Sequence, residues 1–269
     1  MNLRWRMVNF EVYLFTMKNI LIAILLFAAP TLMAQQAKAT KVVVRTQAKD
    51  AKFIGSSMGG SLIIIRDAQT NEILAKGYTK GGTGNTDLIM RTARERYQSI
   101  TDGAAYFEAN LSLSKPLLVT IEAQAPAHHE EARVMAQTQA WLIPGKPMDG
   151  EGIVVEIPGF VVDGLYPQTH QGFSLKETTS VELKANIVMM CGCTISDGGL
   201  WDAGRMEVEA MVSIDGEYVR TVTMQLKEDN TFVANLPLEK TGSYEVIISA
   251  YHIQSKNTGV DELYFRVSQ

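Results

Sequence analysis

The sequence predicts an all-β protein built as two tandem sandwiches behind an export signal. Three observations carry this reading. From Lys41 onward, short runs rich in Val, Ile, Thr and Tyr recur between breaks of Gly, Asn and Asp, the pattern of half-buried strands joined by turns. One segment alone, Thr86 to Ile100, has a helix-friendly composition. Near the N-terminus, Lys18 precedes an apolar run from Ile20 to Ala29.

That run is about the length of a secretory h-region and too short to span a bilayer. Leu32-Met33-Ala34 then supplies a small residue for cleavage, so residues 1–34 read as a signal peptide and Gln35 as the mature start. Met17-Lys18-Asn19 would itself open a normal signal, so residues 1–16 read as a mis-assigned start or as an extended n-region. Removing residues 1–34 takes away Arg4, Arg6 and Lys18 against Glu11 alone. The mature chain is therefore more acidic than the formal net charge of −4 for all 269 residues. A chain of that sign, with no basic run, is a poor nucleic-acid binder. The expected location is periplasmic or secreted, not membrane-spanning after cleavage.

The first sandwich is expected over residues 35–158. Its strands read as Lys41–Gln47, Ser61–Arg66, Glu72–Tyr78, Ala104–Leu113, Leu117–Ala123, Met135–Ile143 and Ile153–Ile157. Asp67-Ala-Gln-Thr-Asn71 is the turn of a hairpin between the second and third. Residues 80–103 form an excursion that carries the helix-friendly segment. Its leading loop, Gly81-Gly-Thr-Gly84, lacks the Gly-Lys-Ser/Thr ending of a phosphate cradle.

Pro158-Gly159 marks the boundary, and residues 159–269 form the second sandwich. Val181–Met190 alternates, and Arg205–Val212 places Met206, Val208, Ala210 and Val212 on one face. Asp215-Gly216 is a hairpin signal leading into Tyr218–Leu226. Thr231–Leu238, Tyr244–Ile253 and Glu262–Val267 complete the set. Short strands at this spacing predict an immunoglobulin-like β-sandwich.

Gly60 to Thr79, a glycine before a strand, a polar turn and a second strand ending at a glycine, resembles the hairpin of carboxypeptidase-regulatory-like and transthyretin-like sandwich modules. The resemblance covers these twenty residues and departs from the pattern beyond Thr79. It implies a non-catalytic accessory module and transfers no functional residues. The whole chain is also similar in layout to exported bacterial two-domain proteins.

Reactive chemistry concentrates in Asn186-Ile-Val-Met-Met-Cys-Gly-Cys-Thr-Ile-Ser-Asp-Gly-Gly-Leu-Trp-Asp202, which holds both cysteines of the chain. Along an extended strand, residues two apart are about 6.6–7 Å apart on one face, too far for a disulfide. Gly192 lets the backbone fold between Cys191 and Cys193. Three readings stay open: a Cys191–Cys193 disulfide suited to an oxidising compartment, a soft copper(I) site, or cysteines that pair elsewhere or not at all. The copper(I) site would use Cys191 and Cys193 as thiolates with Met189 or Met190 as thioether. Trp201 either plugs the end of the second sandwich or shields such a metal from water.

Other candidates are thinner. His128-His129-Glu130-Glu131 reads as a solvated loop, or as an accessory metal group with His170 or His252. Asn257 to Asp261 reads as a turn with too few oxygens for calcium. No His-Glu-x-x-His and no Gly-x-Ser-x-Gly is present, so zinc or serine hydrolysis has no support. The function expected is an exported, non-catalytic structural or interaction module that meets a cell-envelope partner. Copper(I) binding is the first alternative, and thiol–disulfide exchange through Cys-Gly-Cys the second.

Overall fold

The computed structural model describes residues 36–269, of which Ala37–Gln269 form one compact unit. The expected signal peptide lies outside the described residues. Among those described, no helix is long and apolar enough to cross a membrane.

The first eight strands make one sandwich. They are β1 (Lys38–Ala48), β2 (Leu62–Asp67), β3 (Ile73–Tyr78), β4 (Lys80–Thr83), β5 (Ala104–Leu113), β6 (Leu117–Ala125), β7 (Val134–Leu142) and β8 (Met148–Ile157). One sheet runs β4-β5-β1-β8 and the other β3-β2-β6-β7. The hairpin across Asp67–Asn71 forms in the expected place, with Leu62 opposite Tyr78. Asp67 Oδ1 accepts from the amides of Gln69 and Thr70, and Asn71 takes the left-handed conformation that closes the turn.

Eleven further strands follow: β9 (Phe160–Tyr166), β10 (Gly172–Ser174), β11 (Ser180–Met189), β12 (Ile195–Ser196), β13 (Trp201–Asp202), β14 (Met206–Ile214), β15 (Glu217–Thr223), β16 (Gln225–Glu228), β17 (Thr231–Pro237), β18 (Gly242–His252) and β19 (Thr258–Ser268). A sheet β9-β11-β17-β16 faces a sheet β10-β19-β18-β14-β15. That is the immunoglobulin order, A-B-E-D against G-F-C-C′, with β10 added along the last strand. Inward residues alternate as expected: Val181, Leu183, Ala185 and Ile187 from β11 are buried, as are Val208, Ala210 and Val212 from β14. Tyr244, near the start of β18, sends its hydroxyl back to the carbonyl of Lys240 at 2.8 Å, the tyrosine corner of this architecture. Asp215 and Gly216 both have positive φ, as a type I′ hairpin between β14 and β15 requires.

Several expectations are corrected. Thr86–Ile100 is not an extended helix: a single π-type turn, Asp87–Arg91, forms, because a short helix recovers little for its nucleation cost. The rest follows tertiary contacts. Ile100 packs with Phe53 and Ala104, and the Ile100 amide donates to Glu151 at 3.0 Å. Lys80–Thr83, at the start of the excursion, pairs with β5. Tyr218–Leu226 is two strands, because the chain changes sheets at Met224 between β15 and β16. Residues 160–174 contribute two strands that the sequence reading passes over, and Asn257–Asp261 is largely strand β19.

Most of the buried apolar side chains form one continuous cluster from Val42 in β1 through Ile157, Phe160 and Met190 to Val267 in β19, with Phe53, Ile100 and Ala104 in a small cluster of their own. The two sandwiches thus share a core at their junction.

Candidate functional site

The cysteine stretch lies at that junction. Strand β11 ends at Met189, and the chain reverses at once: the Gly192 amide donates to the Met189 carbonyl at 2.7 Å, and the Met189 amide to the Cys193 carbonyl at 3.2 Å. Gly192 has φ of +74°, a conformation an L side chain resists. A Cβ there would also fall 2.7 Å from Met58 Sδ, so glycine serves both the turn and the contact with the first sandwich. Cys191 and Cys193 are joined as a disulfide with Cα atoms 5.4 Å apart, and both residues are buried.

Met189 and Met190 are buried as well. Met189 lines a small enclosed space with Phe160, Ile195, Trp201 and Met206, while the Met190 methyl lies against Gly159. The bonded cysteine sulfurs offer no thiolate, so a copper(I) site would require the reduced protein. Thiol exchange meets a different obstacle, since an attacking thiolate must reach a disulfide whose two residues are both buried.

Two more connections cross the junction. The Trp201 indole N–H donates to the Asp50 carbonyl at 2.9 Å, so Trp201 plugs the end of the second sandwich against a loop of the first. Asn257 is fully buried: its Oδ1 accepts from the Gly159 amide and its Nδ2 donates to the Lys49 carbonyl, each at 3.0 Å. Asp261 accepts from the Gly164 amide, so this stretch spends its oxygens on the fold instead of on a calcium ion. Asp202 secures the turn that carries Trp201. The Gly204 and Gly198 amides both donate to it and hold its carboxyl below the usual carboxylate range.

The histidines are dispersed. His128 packs on Gly59, His129 Nδ1 lies 3.7 Å from Asp163, and His252 Nδ1 pairs with Ser255 Oγ at 2.8 Å. Glu130 engages Arg133, and the His170 amide donates to the Tyr264 carbonyl. Among the described residues, no group of three His, Cys, Asp or Glu side chains is placed to hold a metal.

Sequence reasoning missed Met58 and Arg45, and read Asn257 only as part of a turn. The Arg45 side chain is buried in the first sandwich, with Nη1 2.6 Å from the Ala104 carbonyl and further bonds to the carbonyls of Gly150 and Glu151. Burial lowers its pKa, and the carbonyls compensate for lost water. A shallow cleft of about 390 Å³ opens beside Trp201, between Met90 and the Leu200–Arg205 turn. A larger one, about 620 Å³, lies where β15 gives way to β16, with Met206, Met224 and Phe232 at its base.

No protein-family model matches the sequence, and no curated protein matches it significantly. Among solved structures, the chicken interferon gamma receptor alpha chain is 8% identical, with 88% of this chain and 100% of that chain covered at a TM-score of 0.32. Tandem immunoglobulin domains of titin are 9% identical, with coverage of 87% and 97% and a TM-score of 0.24. Escherichia coli alpha-2-macroglobulin is 10% identical over 87% of this chain and 20% of its own, at 0.28. Likenesses this loose carry no weight for function, and the immunoglobulin order rests on the strand pairing alone.

Proposed function

We propose that this chain is an exported, non-catalytic structural and interaction module of the cell envelope, in which the Met-Met-Cys-Gly-Cys stretch fixes two sandwiches in one orientation. The observation that carries the reading is the placement of the disulfide turn. It is buried at the junction against Met58, flanked by the Trp201–Asp50 and Asn257–Lys49 bonds. A short covalent ring there restrains the turn that Met58 packs upon. The side chains with displaced titration have local structural partners within one sandwich: Lys41 pairs with Glu108, Asp67 and Asp202 cap turns, and Arg45 and Tyr264 hold neighbours on their sheets.

Limited proteolysis tests the junction. The Pro158–Gly159 link is clamped through the Gly159 amide, so cleavage there is slow in the native protein. The double substitution Cys191→Ser/Cys193→Ser, combined with Trp201→Phe, releases a fragment beginning near Phe160. Rapid release of that fragment from the unaltered protein would defeat the proposal.

Copper(I) binding is retained as a second reading because Met58 brings a further thioether to the turn. It requires that reduced protein take up copper(I) against a competing chelator, with loss in Cys191→Ser and Cys193→Ser and weakening in Met58→Leu. Uptake equal to that of the double cysteine variant would rule it out.

A further inference from the structure

The free edges of the four large sheets are protected, with one exception. An edge strand offers unpaired N–H and C=O groups, and natural proteins guard it with charge, glycine or proline, a bulge or brevity. Strand β4 is four residues long, with two glycines, and β10 has three residues. Strand β3 carries Lys76 and Gly77, β9 carries Asp163 and Gly164, and β8 carries Asp149, Glu151 and Glu156. Strand β15 carries Glu217 and Arg220, and β16 carries Lys227 and Glu228. The ladders of these five strands are also interrupted by register shifts.

Strand β7 has none of these devices. Val134-Met-Ala-Gln-Thr-Gln-Ala-Trp-Leu142 contains no charge, no glycine and no proline. It pairs with β6 through nine consecutive residues without a shift, and β6 is its sole neighbour in the sheet. Its outward side chains include Met135 and Trp141, which are 59% and 61% exposed, and Ile143 just beyond its end is 51% exposed.

We propose that β7 is a homodimerisation edge, paired antiparallel with β7 of a second copy about a twofold axis at Thr138. The strand is self-complementary in that register. Val134 meets Leu142, Met135 meets Trp141, Ala136 meets Ala140 and Gln137 meets Gln139, while Thr138 meets its own counterpart. The exposed thioether faces the exposed indole twice, a favourable sulfur–aromatic pair, and no like charges are opposed. The two four-stranded sheets become one of eight strands, and the edge is removed from solvent. A twofold contact of this kind closes on itself and does not propagate.

Sedimentation velocity on residues 35–269, over a range of concentrations, tests the pairing with two charge variants. Gln137→Lys/Gln139→Lys opposes like charges across the axis twice. Gln137→Lys/Gln139→Glu places opposite charges there and alters the same two exposed positions. The unaltered protein should dimerise. The first variant should weaken the dimer by at least about tenfold, as two repulsive cross-strand contacts imply, and the second should restore it. A protein that stays monomeric at high concentration, or a dimer that the like-charge variant leaves unchanged, would overturn the proposal.

Discussion

The two sandwiches secure the ends of their sheets by opposite chemical means. In the first, the region around β5 and β8 is tied by polar bonds to a buried cation, with Arg45 bound to the Ala104, Gly150 and Glu151 carbonyls. In the second, the end that meets the junction is held by a disulfide turn and apolar packing: Met189, Met190 and Phe160 are nearly inaccessible. The difference follows from what each end must do. The Arg45 end anchors an irregular excursion whose backbone needs partners, whereas the cysteine end must press a compact surface against Met58 and Asp50.

Removing the cation should give the largest effect. Arg45→Met keeps much of the volume and leaves buried carbonyls without donors, at a cost of about 3 kcal/mol in chemical denaturation. If the Arg45 end is instead slack, the change will be close to that of a surface substitution. At the junction, Asn257→Ala strands the Gly159 amide and the Lys49 carbonyl, and should lower stability by about 2 kcal/mol. Equal losses in the two variants would erase the contrast between the ends.

Much of this organisation was legible from local pattern. Asp215-Gly216 states its hairpin in two residues, and the alternation of Val208, Ala210 and Val212 states which face of β14 is inside. The passage from β15 to β16 was not legible, because Arg220, Val222, Met224 and Leu226 keep alternating while the chain changes sheets. Strand β9 was hidden by Asp163-Gly164 in its middle. In the candidate site, Gly192 announced a bend between the cysteines, and the disulfide was one of the readings it allowed. The partners of that turn had no local signature. Asn257 bonds to a carbonyl 208 residues away, and nothing in the sequence near Met58 points to Gly192.

A smaller effect concerns the turn that carries Trp201. The Asp202 carboxyl is held below the usual range by the Gly204 and Gly198 amides, so its folded-state pKa is lower than its unfolded one. Its contribution is present above the unfolded value, about 3.9, and is lost as pH falls through the lowered folded value. Asp202→Asn should therefore be slightly less stable than the unaltered protein at neutral pH, with the difference vanishing in strong acid. A difference that persists unchanged into strong acid would mean that the charge on Asp202 does not hold the turn.

The central claim is that the two sandwiches behave as one unit because their cores join through the disulfide turn, Trp201 and Asn257. Differential scanning calorimetry of residues 35–269 addresses it most directly. The account predicts a single transition whose calorimetric and van't Hoff enthalpies agree, splitting into two when Cys191→Ser/Cys193→Ser is combined with Asn257→Ala. Two independent transitions in the unaltered protein would contradict it.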